Sequence, residues 1–252
     1  MIKTTDPKKI NFKQLFSLEG KVIVITGNKG LIGRAFEEAC RQFGANVVGF
    51  DLPENDVTSE KDIIRFKDKI IKSYRKIDGL VNCHHAKPIG FFDNVEGYTE
   101  SSWDEVMDSN LKGTYTMCKV IGAHMSQNGG GSIVNVASTY SVVAPNHKIY
   151  DNITEPLKSP VSYAASKGGV MALSNYLATY WAEKNIRVNL ITPHGVWNNH
   201  EGVFEENFSE LSPMNRLSFN YEVAGGLVYL LSDAASYVTG HNLIIDGGWT
   251  TW

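Results

Sequence analysis

The stretch Lys21–Gly33, KVIVITGNKGLIG, decides the fold of this chain. Its apolar, β-branched run Val22–Ile25 predicts a buried parallel strand, and the glycines at 27, 30 and 33 predict a tight turn. Apolar residues then recur at helical spacing from Leu31 onward. A strand, a glycine turn and a helix make the first half of a βαβ unit, whose helix N-terminus can bind a pyrophosphate. A glycine turn by itself is weak evidence, so a turn without a ligand stays open at this point.

The next strand bears on the choice of dinucleotide. The run Asn46–Phe50 ends at Asp51, roughly 20 residues beyond the glycine turn, where an acidic side chain can bind a ribose 2′-hydroxyl. Because a carboxylate repels a 2′-phosphate, the sequence favours NAD(H) over NADP(H). Lys29 argues weakly the other way, since a basic residue in the turn could meet a phosphate.

Composition excludes several classes of function. The chain has 252 residues and a formal net charge of −3, so its charge does not favour nucleic acid as a partner. No apolar run approaches the roughly 20 residues of a membrane span, and the polar start lacks the apolar core of a signal peptide. Three cysteines without a CxxC, and histidines without HxH or HExxH spacing, predict neither disulfides nor a bound metal. We expect a cytoplasmic protein with no membrane partner.

Strands and helices alternate along the chain, and no repeat or linker divides it. Strands are predicted at 22–25, 46–50, 78–82, 132–137, 187–191 and 242–246. This pattern predicts an α/β fold: a single-domain Rossmann-type doubly wound parallel sheet with helices on both faces, within 1–252 and after a lead-in at 1–19. Ligands of such sheets bind beyond the carboxyl ends of the strands. Five predicted strand ends carry polar or turn residues, namely Gly27, Asp51, Asn82, Ser138 and Pro193.

Two long helices follow from the pattern, and one segment resists assignment. A helix is predicted at Ser102–Gln127, opened by the capping-box pattern SWDE, and another at Val161–Asn185. Residues 194–218 show no clear period.

Tyr163 and Lys167 place a phenol and an ammonium one turn apart on the second of these helices. A nearby positive charge is expected to lower the pKa of the phenol, which suits a general acid–base. The same spacing occurs at 115/119 and 180/184, but only Tyr163 starts a helix, after a strand that ends at Ser138. Ser138 is placed to polarise a substrate carbonyl.

Together these residues resemble the short-chain dehydrogenase/reductase family, of the classical type, from about Leu18 to Trp249. The matching motifs are the glycine motif at Thr26-Gly27 and Gly33, the adenine-contacting pair Asp56-Val57, the catalytic tetrad Asn110, Ser138, Tyr163 and Lys167, and the ending Ile245-Asp246-Gly247-Gly248.

The resemblance implies an oxidoreductase that transfers hydride between a nicotinamide cofactor and a secondary alcohol or ketone. It implies that Lys167 also holds the nicotinamide ribose and that Asn110 anchors a water leading to Lys167. It further implies a small-molecule substrate and a homotetramer or homodimer built through the two long helices. The cofactor-binding residues expected on these grounds are Gly27, Lys29, Leu31, Ile32, Gly33, Asp51, Asp56, Val57, Asn82, His84, Tyr163, Lys167, Pro193 and Val196.

Four departures from the family pattern stand out. Leu31 replaces the middle glycine, His85 stands where a glycine lies beside the cofactor, and His194 separates Pro193 from the following glycine. The separation of Ser138 and Tyr163 is roughly twice the usual one. We interpret the added loop, 139–160, as a substrate-side insertion, with a tolerated surface excursion as the alternative, and 194–218 as a substrate lid. The substrate-side residues expected are Ser138, Tyr140, His147, His194 and Trp197.

The loop, the LIGRAF helix start and the Tyr163 segment resemble a branch of the family found in bacterial surface-sugar and flagellin-glycan (nonulosonic acid) biosynthesis. That branch implies a sugar or sugar-phosphate substrate, with His147, Lys148 and Arg216 able to meet a phosphate or carboxylate. Two alternatives stay open. One is an NADPH-dependent 3-oxoacyl or small-carbonyl reductase, and the other is a non-catalytic dinucleotide-binding sensor or partner protein.

Overall fold

Six parallel strands form the centre of the computed structural model, which describes residues 6–150, 158–200 and 202–252. The strands are β1 Val22–Thr26, β2 Asn46–Phe50, β3 Gly79–Asn82, β4 Gly131–Val136, β5 Ile186–Pro193 and β6 Asn242–Ile245. They lie in the order β2-β1-β3-β4-β5-β6, and every neighbouring pair is parallel. The predicted doubly wound sheet is confirmed.

Helices cover both faces of the sheet. They are α1 Phe12–Leu15, α2 Leu31–Gln42, α3 Glu60–Tyr74, α4 Glu100–Val106, a π-helical stretch Met107–Gly113, α5 Thr114–Gln127, α6 Val161–Trp181, α7 Val203–Ser209 and α8 Asn220–Leu231. Phe66, Ile121 and Trp181 of α3, α5 and α6 belong to one buried cluster, and Phe36 and Leu227 of α2 and α8 belong to another. Burial of apolar side chains on both faces explains why the strands read as continuous apolar runs.

The strand order positions the site. From β1 the chain moves outward to β2 and then returns to β3 on the other side of β1, so the order reverses between β1 and β3. All five residues of β1 are buried, and Val24 is in register with Val48 and Leu80. A crevice therefore opens at the carboxyl ends of β1 and β3, where doubly wound sheets bind ligands.

The predicted helix at Ser102–Gln127 differs from the structure in two ways. It begins at Glu100, because Thr99 Oγ1 accepts the Ser102 N–H at 3.1 Å and caps the first turn, so the SWDE pattern is not the cap. It is also interrupted by the π-helical stretch, which nothing in the pattern indicated.

The segment 194–218 contains a helix that its pattern did not reveal. This helix, α7, has only two turns, which is too short to display a period in the sequence. Phe204 and Phe208 lie one turn apart on one side of it, and their ring centroids are 4.5 Å apart.

Parts of three predicted segments lie outside the described residues. They are residues 151–157 of the predicted insertion, residues 1–5 of the lead-in and residue 201. No helix in the described parts of the chain is long and apolar enough to cross a bilayer.

Candidate active site

Two glycines of the turn after β1 lie in close contact with neighbouring backbone atoms. Gly27 has a φ of +65°, and a Cβ added there would lie 2.9 Å from the Cys83 carbonyl oxygen. A Cβ on Gly33 would lie 2.8 Å from Asn28 Cα, whereas one on Gly30 would have 3.3 Å to its nearest neighbour. Only glycine fits the first two positions. Gly30 gives α2 no side-chain cap, which leaves the first N–H groups of this helix available to an anion.

A cavity of about 840 Å³ opens beside this turn, at the reversal of strand order. Phe50, Leu52 and Cys83 contribute to its walls. The cavity is large enough for a dinucleotide. The glycine backbone could lie against the pyrophosphate, and the carboxylate could bind the ribose. The predicted cofactor-binding residues that line the cavity are Gly27, Lys29, Asp51, Asp56, Val57 and His84.

Asp51 faces the cavity from the end of β2. Its two carboxylate oxygens accept the N–H groups of Lys29 and Leu52, each at 2.9 Å, which fixes the side chain at the rim. The Lys29 ammonium turns away from the glycine turn and binds Glu54 and the Leu52 carbonyl, each at 2.7 Å. The positive charge that argued for a 2′-phosphate is therefore paired with a carboxylate.

His84 ties β1 to the π-helical stretch. Its Nδ1 lies 2.6 Å from Thr26 Oγ1, and its Nε2 lies 3.1 Å from the Ser109 carbonyl oxygen. Because a carbonyl can only accept, Nε2 carries the hydrogen and Nδ1 accepts from the threonine hydroxyl. Burial, helped by the charge of Lys167, lowers the pKa of His84 to about 3, so the ring is neutral near pH 7. His85, by contrast, lies open to the cavity.

Some predicted cofactor-binding residues have their side chains elsewhere. Asn82 is buried in the sheet, where its Nδ2 donates to Asn135 Oδ1 at 2.8 Å, so its side chain supports the sheet and does not line the cavity. Ile32 and Val196 pack against the core cluster on the α2 face. The predicted residues that neither line the cavity nor belong to the tetrad are Leu31, Ile32, Gly33, Asn82, Pro193 and Val196.

Ser138, Tyr163 and Lys167 come together beyond the end of β4. Tyr163 is the third residue of α6, and its hydroxyl hydrogen-bonds with Ser138. The Lys167 ammonium is buried 5.7 Å from the centroid of the Tyr163 ring and donates to the Val136 carbonyl at 2.6 Å. Burial lowers the pKa of Lys167 to about 8. The grouping assembles a proton donor, a second hydroxyl and a nearby cation.

The expected lowering of the phenol pKa by Lys167 is wrong for this structure. Burial raises the pKa of Tyr163, and the hydrogen bond with Ser138 offsets only part of that rise. Tyr163 is consequently protonated near pH 7 in this state, which is the form that can donate a proton to a carbonyl oxygen.

Asn110 is the fourth predicted member of the tetrad, and it lies in the π-helical stretch. Its Nδ2 donates to Ser166 Oγ at 3.1 Å, and its Oδ1 accepts the Ala86 N–H at 2.9 Å. Its backbone carbonyl accepts from Thr114 Oγ1 at 2.7 Å. π-Helical turns are rare and occur often at functional sites. Asn110 thus joins α6 to the loop that follows β3.

Comparisons with known proteins agree with this geometry. A family model described as enoyl-(acyl carrier protein) reductase matches residues 13–250. An NAD-dependent glycerol dehydrogenase of Listeria innocua is 35% identical over 95% of this chain and 97% of its own length. The chain belongs to the short-chain dehydrogenase/reductase family. A short-chain dehydrogenase of Leptospira borgpetersenii, solved with bound NAD+, superposes with a TM-score of 0.86 at 30% identity, over 96% of each chain.

Two further relatives bear on the range of activities. A D-threitol dehydrogenase of Mycolicibacterium smegmatis is 31% identical over 93% of this chain and 95% of its own length. The post-translational flagellin modification protein A of Campylobacter coli is 28% identical over 92% and 99%. As a short-chain dehydrogenase/reductase, the protein is an oxidoreductase that acts on CH–OH groups. The alternative of a non-catalytic binding protein is not retained.

Residues of the predicted insertion pack against residues of the segment 194–218. The hydroxyls of Tyr140 and Tyr150 are 2.8 Å apart, and the Tyr150 ring meets the Phe208 ring edge-on at 5.9 Å. Asn207 Nδ2 donates to the Ile149 carbonyl at 2.7 Å. Ile149 and Tyr150 of the predicted insertion therefore pack on α7.

The remaining predicted substrate-side residues are placed differently. His194 is buried between the Phe208 and Trp249 rings, and burial lowers its pKa. The Trp197 side chain is 37% exposed, and the backbone N–H of this residue donates to the Ser218 carbonyl at 2.8 Å. His147 is exposed. Tyr150, Ser159 and Trp249 lie near Tyr140 but were missed, because only the folded chain brings them beside it.

Arg216 does not present a free guanidinium. Both of its terminal nitrogens donate to the Glu222 carboxylate at 2.7 Å, a bidentate pair at the start of α8. The expected role of Arg216 in meeting a phosphate or carboxylate is not supported by this arrangement.

Proposed function

We propose that this protein is an NAD(H)-dependent dehydrogenase of a secondary alcohol or ketone on a hydroxylated carbon chain, such as a sugar or sugar alcohol. The observation that carries the proposal is the meeting of Ser138, Tyr163 and Lys167 beyond β4. The dinucleotide-sized cavity adjoins them, because the ring of His85, which lines it, lies 6.2 Å from the Tyr163 ring. Gly27 and Asp51 would hold the cofactor, and Gly33 would let α2 approach the turn that receives it. When bound, the nicotinamide supplies the hydride donor or acceptor.

The proposed chemistry of the chain is acid–base and electrostatic. Tyr163 gives its proton to the carbonyl oxygen during reduction and takes it back during oxidation. Ser138 donates a hydrogen bond to the same oxygen and stabilises developing charge there. The Lys167 ammonium places a positive charge beneath the phenol and exchanges protons with the Tyr163 hydroxyl. Asn110 fixes the start of α6 through Ser166, which keeps Tyr163 and Lys167 in place.

The preference for NAD(H) rests on Asp51 and Lys29. A carboxylate fixed by two N–H groups can accept hydrogen bonds from a ribose but repels a 2′-phosphate, and Lys29 is paired with Glu54. The names of the Listeria glycerol dehydrogenase and the Leptospira structure with NAD+ agree with this choice.

Similarity to glycerol and threitol dehydrogenases supports a hydroxylated substrate. A second candidate is an enzyme of surface-glycan biosynthesis, supported by the flagellin modification relative. Within that candidate, the pairing of Arg216 with Glu222 favours an unphosphorylated sugar.

We also propose a homotetramer or homodimer built through α5 and α6, in the cytoplasm. Tyr176 and Tyr180 are 65% and 64% exposed and stack on each other on α6, which provides an apolar surface for a second copy. Cys40, Cys83 and Cys118 are unpaired, which is typical of a reducing compartment.

Nucleotide binding and turnover test the proposal together. The purified protein would be titrated with NADH and NADPH by nicotinamide fluorescence, and then assayed with NAD+ on a panel of polyols and sugars. We expect NADH to bind at least about 10-fold more tightly than NADPH. Asp51→Asn should remove most of that preference, whereas Glu54→Gln should retain NADH binding. Equal binding of the two nucleotides would contradict the role of Asp51, and a wild-type protein that oxidises no alcohol with NAD+ would contradict the proposed activity.

A further inference from the structure

Three hydroxyl groups of the predicted insertion, residues 139–160, gather beside the Ser138–Tyr163 pair. The Tyr140 and Tyr150 hydroxyls are 2.8 Å apart, and Ser159 Oγ lies beside both phenols. Tyr150 and Ser159 are buried, at 9% and 7% exposure. Ser159 Oγ is within reach of both phenols but makes no well-aligned hydrogen bond among the described residues. A buried hydroxyl that is poorly satisfied costs up to about 1–3 kcal/mol, so a ligand hydroxyl could improve its hydrogen bonding.

The cluster is tied directly to the reacting centre. The Tyr140 N–H donates to Ser138 Oγ at 3.2 Å, and Ser138 in turn meets the Tyr163 hydroxyl. Tyr140 and Tyr163 are near enough that ionisation of one disfavours ionisation of the other. A substrate whose reacting carbon lies at Tyr163 would extend its chain toward these hydroxyls.

Aromatic rings hold the cluster from behind. The Tyr140 ring meets Trp249 edge-on at 5.9 Å, and the Tyr150 ring meets Phe208 at the same separation. Burial raises the pKa values of Tyr140 and Tyr150. Both phenols are therefore neutral near pH 7, and each can donate and accept hydrogen bonds.

Lys167, Arg216 and His194 are not available to a charged substrate. Lys167 donates to the Val136 carbonyl, and Arg216 is paired with Glu222. The imidazole of His194 is buried between rings and neutral near pH 7. Neutral hydroxyls backed by rings match the hydroxyl groups of an uncharged substrate better than a phosphate or carboxylate, which would need a free cation.

We propose that Tyr140, Tyr150 and Ser159 form a hydroxyl-binding subsite that selects neutral polyols, by bonding hydroxyls on the carbons beyond the reacting one. This inference rests on the proposed function for its reacting centre. It assigns the insertion a role in specificity, because all three residues belong to it.

Kinetics with matched alcohols test the subsite. The values of kcat/KM with NAD+ would be measured for glycerol, erythritol, mannitol and 2-butanol, which offers no second hydroxyl. We expect Tyr150→Phe and Ser159→Ala each to lower the ratio of polyol to 2-butanol kcat/KM by about 5- to 10-fold, as loss of one hydrogen bond predicts. Tyr237→Phe removes a phenol hydroxyl from a fully exposed ring and should leave the ratio unchanged. Unchanged ratios in both subsite variants would overturn the proposal.

A binding measurement separates this inference from the proposed function. Calorimetric titration of the protein–NADH complex with each polyol needs no turnover. Weaker polyol binding by Tyr150→Phe and Ser159→Ala than by wild type would support the subsite even if no alcohol were oxidised, in which case only the proposed function would fail. Absence of polyol binding by the wild type, or equal binding by all three proteins, would overturn the subsite.

Discussion

Gly33 offers the sharpest test of the cofactor site, because the structure leaves no room for a single methyl group there. In Gly33→Ala the new Cβ would lie 2.8 Å from Asn28 Cα and 2.9 Å from the carbonyl carbon of Gly27. The new Cβ would lie closer still to the Gly27 carbonyl oxygen, so the turn must move by more than about 0.6 Å before it reaches the ordinary contact distance of 3.4 Å. The neighbours are backbone atoms, which cannot rotate away as a flexible side chain can. Overpacking of this kind costs about 1–3 kcal/mol.

The displaced atoms belong to the turn that would receive the pyrophosphate. We therefore expect Gly33→Ala to fold with a lowered free energy of unfolding and to bind NADH at least about 100-fold more weakly, a loss of about 2.7 kcal/mol. Gly30→Ala is the matched control. Its Cβ would be 3.3 Å from the Gly27 carbonyl oxygen, and its φ of −75° suits alanine, so NADH affinity should change by no more than a few-fold.

The assay is fluorescence titration with NADH, together with urea unfolding of the nucleotide-free variants. Urea unfolding shows whether Gly33→Ala remains folded under the conditions of the titration. A folded Gly33→Ala protein that binds NADH as tightly as Gly30→Ala would refute the reasoning, since the close approach of α2 to the turn would then have no bearing on the cofactor.

Three further predictions concern the reacting centre, acid stability and assembly. Tyr163→Phe should lower kcat at least about 1,000-fold and leave the Kd of NADH within about 2-fold, whereas Tyr237→Phe should alter neither; a small loss of kcat in Tyr163→Phe would remove the phenol from the mechanism. The pKa of His84, about 3, lies below that of an unfolded histidine, so the unfolded chain binds more protons between pH 6.5 and 3 and stability falls as pH falls through that range. The free energy of unfolding would be measured in urea at pH 7 and at pH 5. Between these two pH values, His84→Asn should lose less of that free energy than wild type, the difference being up to about 1.4 kcal/mol per pH unit. His241→Asn, on the surface, should match wild type. Tyr180→Arg should reduce the assembled mass in light scattering, while Tyr237→Arg should not; an unchanged mass in Tyr180→Arg would exclude this helix face as the interface.

Local patterns along the chain were sufficient for the architecture. A buried strand between helices reads as a continuous apolar run, and all six strands were located from such runs. The position of Tyr163 at the start of a helix, after a strand ending at Ser138, was likewise visible without coordinates. Both depend on neighbours within a few residues, which is the range that periodicity and turn chemistry report.

Contacts between distant parts of the chain decided the rest. The pairing of Arg216 with Glu222 and of Lys29 with Glu54 changed the expected ligands of both cations, since a side chain's partner depends on which elements pack beside it. The π-helical stretch around Asn110 has no signature in composition or spacing.

The sequence by itself determined the doubly wound sheet, the glycine turn, and the positions of Ser138 at a strand end and Tyr163 at a helix start. Each of these follows from the pattern of apolar, polar and glycine residues within a short stretch of chain. Only the tertiary structure decided that burial raises the pKa of Tyr163, that His84 joins β1 to the π-helical stretch, and that Tyr150 meets Tyr140. These depend on solvent exclusion and on distances between residues far apart in sequence, which exist only once the chain has folded.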